Sequence, residues 1–182
     1  MNFKHPICSA ILLTFCLFSA SCSDDPDPVA PPLTTDEIIT RTFGDAIDLE
    51  NPANYADQTV PRYIRKNNST AMSITDAGAT LGRVLFYDTM LSVDNSVSCA
   101  SCHRQELAFG DDDRASVGVN GTTPRHSMRL LNVRFADEDR LFWDERAASL
   151  EAQTTTPIQD HIEMGFSGED DDPSLDDALA KL

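Results

Sequence analysis

The sequence predicts an all-α fold in which short helices are joined by long loops. Three observations support this prediction: apolar residues recur at helical spacing, a capping residue precedes the clearest helix, and no segment shows a convincing strand pattern. The chain has 182 residues, which is enough for one domain. Its 41% of hydrophobic and 24% of charged residues are typical of a globular protein with a modest core.

The first half of the chain contains two candidate helices. The first is predicted over Thr35 to Phe43, whereas Asp48 to Ser73 is predicted to be extended and looped because Pro and Asn occur there at turn-like spacing. Thr75 is a suitable N-cap for the second helix, which is expected to end near Asp88. Its apolar stripe consists of Leu81, Val84 and Leu85.

The second half of the chain contains three more candidate helices. A short helix is predicted to begin near Ser98, another to span Ala147 to Gln153, and a last one to run from about Ser174 to Leu182. Gly110 to Leu130 has several Gly, Asp, Asn and Thr residues without periodicity and is predicted to be a loop.

The amino terminus has the pattern of an export signal. The apolar run Ile7 to Ala20 follows Lys4 and leads into small residues before Cys22, which resembles a bacterial lipobox. Residues 1–21 are therefore predicted to be a lipoprotein-type signal peptide, with Cys22 as the lipidated residue; an ordinary cleaved signal is the alternative. The run is shorter than the roughly 18 to 20 residues of a transmembrane helix, so we expect a lipid-anchored or periplasmic protein that does not span the membrane.

The charge and composition indicate how the rest of the chain is organised. Residues 22–72 are rich in Pro and acids and are predicted to be a tether and extended lead-in, and residues 73–182 are predicted to be the folded domain. The net charge of −16 and the absence of a Lys/Arg cluster argue against a nucleic-acid partner.

The strongest chemical motif lies at the start of the predicted helix near Ser98. Cys99-Ala100-Ser101-Cys102-His103 has the C-x-x-C-H spacing of a c-type haem attachment site, in which the thiols form thioethers and the histidine binds the iron. A redox pair, a disulfide or half of a zinc site are the alternatives. A zinc site needs two further ligands, which His126 and His161 do not obviously supply.

Several further motifs in the same order give the chain a family resemblance. From Thr75 onward it resembles the bacterial di-haem cytochrome c peroxidases and their methylamine-utilisation relatives. The shared segments are Leu81-Gly82-Arg83-Val84-Leu85-Phe86-Tyr87-Asp88, Ser98 to His103, Arg125-His126-Ser127-Met128, Phe142-Trp143-Asp144-Glu145-Arg146-Ala147, Pro157-Ile158 and Glu163-Met164-Gly165.

The resemblance implies an activity and a set of partners. Family members have two c-type haems in two all-α domains, reduce hydrogen peroxide to water with electrons from a cytochrome or similar donor, and often form dimers. This chain resembles the first, peroxidatic domain and contains no second C-x-x-C-H motif. We therefore expect one haem here and a chain truncated before the second haem domain.

The resemblance also implies roles for single residues. Glu163 matches the distal carboxylate that moves a proton during peroxide cleavage, and a solvated acid is the alternative. Trp143 matches the aromatic residue that passes electrons between the haems, and core packing is the alternative. Arg146 is expected to pair with Asp144 or a haem propionate, and Arg83 has the same interpretations.

Other polar and sulfur-containing residues have weaker interpretations. His126 stands where the family usually has an asparagine that binds calcium, and since imidazole is a poor ligand for this hard cation we do not expect bound calcium. His126 as sixth iron ligand is a minor alternative to an open site.

His161 is expected to be exposed. Packing is the default for Met128 and Met164. The acidic runs 111–113 and 169–172 are expected to be solvated faces.

Three functions remain open from the sequence. The first is a peroxidase, the second is a single-haem electron-transfer module, and the third is an inactive fragment that lacks its partner domain. The sixth iron ligand distinguishes the first two, because an electron carrier usually fills that position and a peroxidase keeps it free.

Overall fold

The computed structural model describes residues 31–69, 73–138 and 140–182. The predicted signal peptide and Cys22 lie outside these residues. The described part contains the helices α1 (Thr35–Phe43), α2 (Asp76–Tyr87), α3 (Cys99–Cys102), α4 (Leu150–Thr155) and α5 (Leu175–Lys181), and the strands β1 (Val117–Gly118) and β2 (Gly121–Thr122). None of its helices has the length and apolar character needed to cross a membrane.

Side-chain caps fix the start of most helices. Thr34 forms a capping box with Glu37 at α1, Thr75 accepts a hydrogen bond from the Gly78 amide at α2, and Ser174 caps α5. The predicted positions of α1, α2 and α5 are confirmed to within a residue or two, because these caps act within the local sequence.

The next helices differ in detail from the prediction. α4 begins at Leu150 and not at Ala147, because the Ser149 hydroxyl accepts a hydrogen bond from Ala152 and defines the cap. Ala147 instead forms a bridge with Leu141, whose amide donates to the Ala147 carbonyl at 2.8 Å. His103 lies at the C-cap, one residue beyond α3.

A small hairpin interrupts the loop predicted over Gly110 to Leu130. β1 and β2 pair antiparallel with Gly118 opposite Gly121, so the all-α prediction is met only in part. Gly121 has φ +128°, a conformation that favours glycine. The dipeptide Asn120-Gly121 after a Val-rich segment was the available sequence signal for this turn.

The hydrophobic core is small and joins distant parts of the chain. Leu91, which follows α2, contacts residues of the 158–166 segment and of α5. The buried members are Leu91, Ile158, Met164, Phe166 and Ala178. Lys181 fastens α5 to this core by donating to the Ser92 carbonyl at 2.6 Å. The core therefore holds the 158–166 segment firmly, and this segment carries Glu163.

The described part of the lead-in is bound to the domain. The Asp76 carboxylate accepts hydrogen bonds from the Tyr55 and Ala56 amides at 2.6 and 2.9 Å. Arg83 donates to the Ala46 carbonyl at 2.9 Å, so its observed partner is the lead-in and not an acid. The described part of the predicted extended lead-in therefore contacts the domain through these hydrogen bonds.

Candidate functional site

The five site residues predicted for the folded part line one cavity. This cavity, called the apolar cavity below, has a volume of about 260 Å³ and a mostly apolar wall. It lies between α3, the hairpin, α4 and the segments 123–130 and 157–164. The five residues are Cys99, Cys102, His103, Trp143 and Glu163. Folding thus brings together chemical groups that are up to 64 positions apart in the sequence.

The two thiols are free and half-buried. Burial raises the pKa of both Cys99 and Cys102, so both are protonated at neutral pH. They do not form a disulfide, and no group of three metal-binding side chains within the described residues includes either of them. The structure therefore gives no support to the disulfide or zinc alternatives.

His103 is held in one tautomer by a backbone carbonyl. Its Nδ1 lies 2.9 Å from the Phe109 carbonyl oxygen, which can only accept, so Nδ1 carries the proton and Nε2 has a free lone pair. Burial lowers the pKa of His103, which keeps the imidazole neutral. A neutral imidazole with a free Nε2 is the form that binds a metal.

The turn that presents this carbonyl has an unusual backbone. Ala108 and Phe109 both have φ +59°, the left-handed region that is uncommon outside glycine. Hydrogen bonds from the Phe109 amide to Arg104 and from the Leu130 amide to Phe109 stabilise the turn. No sequence signal predicted that Phe109 orients His103.

Glu163 is half-buried. It lies far from the C-x-x-C-H motif in the sequence but lines the same cavity. Burial raises its pKa, the negative charge of Asp160 raises it further, and Arg146 lowers it. The Asp160 side chain accepts hydrogen bonds from the Ile162 and Glu163 amides at 2.9 and 3.0 Å. Glu163 is therefore a half-buried carboxyl group with an enhanced ability to hold a proton, and it is not fully solvated.

The hairpin braces the segment that carries Glu163. Val119 donates to the Glu163 carbonyl at 3.1 Å, and Asn120 donates to the Ile162 carbonyl at 3.2 Å through its amide and to the His161 carbonyl at 2.8 Å through its side chain. Gly118 permits this approach, because a Cβ there would lie 2.0 Å from the Ile162 carbonyl oxygen. The backbone position of Glu163 thus depends on an element that the sequence analysis missed.

Trp143 forms part of the cavity wall and of the outer surface. It is 60% exposed, so the interpretation as a core aromatic is wrong. Its indole Nε1 donates to the His126 carbonyl at 2.9 Å, which fixes the ring. Trp143 therefore lies between the apolar cavity and the protein surface.

A second, polar cavity adjoins the first. It has a volume of about 560 Å³ and shares Arg125, Arg146 and Asp160 with the apolar cavity. Asp144 accepts hydrogen bonds from Arg125 and Arg146 at 2.8 and 2.9 Å, and these hydrogen bonds lower its pKa to about 2. The expected pairing of Arg146 with Asp144 is confirmed. Sequence analysis missed Asp160, although an aspartate three residues before Glu163 is a typical turn-forming signal.

The two other predicted histidines differ in their position. His126 lines the apolar cavity, and its ring Nδ1 donates to the Asp113 carbonyl at 2.8 Å. His161 is exposed, as expected, and does not line that cavity; its Nδ1 lies 2.6 Å from the Asp172 carboxylate. The pairing raises the pKa of His161.

The remaining minor predictions have mixed outcomes. Met164 is buried in the core, which confirms packing as its role, while Met128 lines the apolar cavity. Asp111 is wrong as a solvated acid, because its side chain is 7% exposed and accepts a hydrogen bond from Ser116 at 2.6 Å. Asp172, in the second acidic run, is likewise bonded to His161.

Comparison with known proteins now decides the family. A family profile described as "Di-haem cytochrome c peroxidase" matches residues 76–182, which is more than half of the chain. The chain belongs to the di-haem cytochrome c peroxidase family. The resemblance carried by the sequence motifs is thereby confirmed.

Two curated relatives and a solved structure agree with this assignment. The chain is 39% identical over 98 residues to "Methylamine utilization protein MauG" of Methylorubrum extorquens, covering 53% of this chain and 27% of that protein. It is 37% identical over 110 residues to "Cytochrome c peroxidase Ccp" of Escherichia coli, covering 59% and 22%. It resembles the crystal structure of a MauG-like protein associated with microbial copper homeostasis, with a TM-score of 0.55, 34% identity, and coverage of 62% of this chain and 33% of that one.

The matches cover only part of each of these proteins. The chain spans about a quarter of the length of these two curated relatives, and its fold is that of the MauG-like cytochromes. Membership of the peroxidase family implies a c-type haem. The donors present fit this group, since two free thiols and a neutral imidazole with a free Nε2 line one apolar cavity.

Proposed function

We propose that residues 73–182 form a c-type haem domain that reduces hydrogen peroxide to water with electrons from a cytochrome or another small redox protein. Cys99 and Cys102 would form the thioether bonds, and His103 Nε2 would bind the iron. One observation carries the proposal: the thiols, the imidazole and the Glu163 carboxylate line the same apolar cavity.

When bound, the haem supplies the redox-active iron at which peroxide is reduced. The contribution of His103 is to present a neutral imidazole whose Nδ1 proton is donated to the Phe109 carbonyl. This hydrogen bond fixes the orientation of the ring and increases the basicity of Nε2. The left-handed turn at Ala108 and Phe109 places the Phe109 carbonyl where it accepts this hydrogen bond.

Glu163 is proposed to move the proton that peroxide cleavage requires. The overall reaction, H2O2 + 2 H⁺ + 2 e⁻ → 2 H2O, needs a proton on the leaving oxygen, and a carboxyl group with a raised pKa holds and returns a proton more readily than a fully solvated carboxyl group. Simple electron transfer needs no such group. The half-buried Glu163 therefore favours the peroxidase over the single-haem electron carrier.

Trp143 is proposed to carry electrons towards the apolar cavity. Its ring contributes to the cavity wall, yet 60% of its surface is exposed, so it connects the site with whatever binds at this face. The indole is large and oxidisable, and its hydrogen bond to the His126 carbonyl keeps it in place. In this proposal the exposed surface of Trp143 faces the cytochrome or other redox protein that donates the electrons.

Export completes the proposal. Residues 1–21 would be a lipoprotein-type signal peptide, lipid on Cys22 would anchor the protein, and residues 22–72 would lead into the haem domain. The lead-in from residue 31 to residue 69 is held to the domain through Asp76 and Arg83, which supports a short distance between anchor and domain. Calcium has no part in this proposal.

The first experiment is expression of the full chain with the c-type maturation machinery. The wild-type chain should carry covalent haem, detected by peroxidase staining after denaturation, and Cys99→Ser/Cys102→Ser should not. Glu163→Gln should retain haem but react with peroxide at least about 10²-fold more slowly, the lower range for loss of a general acid–base group. Glu169→Gln, at an exposed acid outside both cavities, is the matched control. Wild-type protein without covalent haem, or unchanged turnover in Glu163→Gln, would contradict the proposal.

A further inference from the structure

Asp160 occupies the boundary between the two cavities of the site. Glu163 lines only the apolar cavity, whereas Asp160 lines both the apolar and the polar cavity. The polar cavity is the more open of the two and has charged groups in its wall. Among the residues that line both cavities, Asp160 is the one that carries a carboxylate, the group suited to pass a proton from the polar cavity to Glu163.

One oxygen of Asp160 is used for structure and the other is not. Oδ1 accepts hydrogen bonds from the Ile162 and Glu163 amides at 2.9 and 3.0 Å, which places the two carboxyl-bearing residues in one turn. The Asp160 carbonyl also accepts from Met164 and Gly165, so the turn is rigid. Oδ2 accepts no hydrogen bond from any residue that the structure describes, so it is available to exchange a proton.

Glu163 interacts with charged groups that line both cavities. The negative charge of Asp160 raises the pKa of Glu163, and the positive charge of Arg146 lowers it. Both of these residues line the two cavities. Besides these two, the ionisable groups that interact with Glu163 are the thiols of Cys99 and Cys102.

Asp160 itself faces a different set of charges. Arg125, Arg146 and Asp144 line the polar cavity with it, and His161 lies next to it in the chain. Since Asp144 is bonded to both arginines, Asp160 is the cavity-lining carboxylate without a described salt bridge.

We propose that Asp160 is the relay that delivers protons from the polar cavity to Glu163. In each transfer a proton moves from the Asp160 carboxylic acid to the Glu163 carboxylate, and Asp160 is then reprotonated from solvent; no electrons move in this step. The inference rests on the proposed function, in which reduction of each peroxide consumes two protons. Asp160 acts through Glu163 and does not itself contact peroxide.

The decisive variant is Asp160→Asn in the haem-loaded full chain. The asparagine Oδ1 can still accept from both amides, so the turn is retained, but the side chain cannot transfer a proton. The reaction with peroxide should slow by about tenfold or more, which is part of the roughly 10²–10⁴-fold effect of general acid–base catalysis. Asp160→Ser, whose hydroxyl can also cap the turn, is the second variant, and it provides the test if Asp160→Asn does not fold.

Chemical rescue separates proton delivery from a structural role. Sodium formate should restore much of the peroxide rate of Asp160→Asn in a saturable manner, because formic acid can enter the open polar cavity and replace the missing carboxyl group. Formate should not change the wild type or Asp170→Asn, which removes the same charge from an exposed position outside both cavities. Absence of rescue together with a wild-type rate in Asp160→Asn would overturn the inference.

A second measurement does not depend on peroxide turnover. After a pH jump, time-resolved infrared spectroscopy of the ferric protein follows the carboxyl band of Glu163, which is assigned by its loss in Glu163→Gln. Protonation should be at least about tenfold slower in Asp160→Asn than in the wild type. If Glu163 protonates more slowly in Asp160→Asn but the wild-type protein does not reduce peroxide, the proposed function alone is refuted. If the wild-type protein reduces peroxide but Glu163 protonates equally fast in Asp160→Asn and in the wild type, the relay alone is refuted.

Discussion

Substitution of Gly118 by alanine tests whether the hairpin holds Glu163 in place. A Cβ at Gly118 would lie 2.0 Å from the Ile162 carbonyl oxygen and 2.8 Å from the Glu163 Cα. Both atoms belong to the backbone, so no side chain can rotate away. The backbone angle of Gly118 is outside the left-handed region, so the effect of the substitution comes from space alone.

The magnitude follows from the contacts that must separate. Either the hairpin remains and is overpacked, which costs about 1–3 kcal/mol, or it moves away and loses three hydrogen bonds worth about 0.5–1.5 kcal/mol each. Gly118→Ala should therefore lower the free energy of unfolding by ~1–4 kcal/mol. It should also slow the reaction with peroxide, because the Glu163 backbone shifts with the hairpin.

The assay is urea unfolding of the haem-loaded chain, followed by stopped-flow mixing with peroxide. Gly82→Ala is the matched control, since Gly82 lies in α2 and a Cβ there has no neighbour within 4 Å. The control should gain about 0.5–1 kcal/mol in stability. If Gly118→Ala unfolds at the wild-type urea concentration, the packing of the hairpin against the Glu163 segment is refuted.

Three further predictions concern stability. The raised pKa of Glu163 means that wild-type stability falls as pH rises from 4.5 through the folded-state pKa; Glu163→Gln should lack this fall and have the higher urea midpoint at pH 8. The raised pKa of His161 means that its pairing with Asp172 stabilises the protein fully below pH 6.5 and less as pH rises through the folded-state pKa. His161→Gln should thus lose stability at pH 5.5 and much less at pH 9, and an equal loss at both would disprove the pairing. Ser174→Ala should cost about 1 kcal/mol through loss of the α5 cap, measured by the same urea assay, and no change would argue against that cap.

The helices show how far local sequence information extends. Thr34, Thr75 and Ser174 act on amides within three positions, so α1, α2 and α5 begin where the sequence predicts. α4 was predicted to begin too early because the bridge between Leu141 and Ala147 removes Ala147 from the helix. That bridge depends on a chain reversal that periodicity alone does not reveal.

The hairpin and the lead-in show where local information ends. The signal Asn120-Gly121 was present, but β1 and β2 are only two residues long each, too short for an alternating pattern. The segment Asp48 to Ser73 is predicted only to be extended and looped, whereas in the structure the Tyr55 and Ala56 amides donate hydrogen bonds to the Asp76 carboxylate. Composition describes solubility and turns; it does not show which surface a segment contacts.

The sequence by itself determined the chemical inventory of this protein: the C-x-x-C-H motif, the order of the family motifs and the caps of the main helices. Each depends on residue type and short spacing. Only the tertiary structure decided that His103 and Glu163 line one cavity, that Phe109 orients His103, and that Asp160 joins two cavities. The physical reason is that burial, hydrogen-bond geometry and charge proximity set the protonation of these groups, and all three arise from contacts between segments distant in the chain.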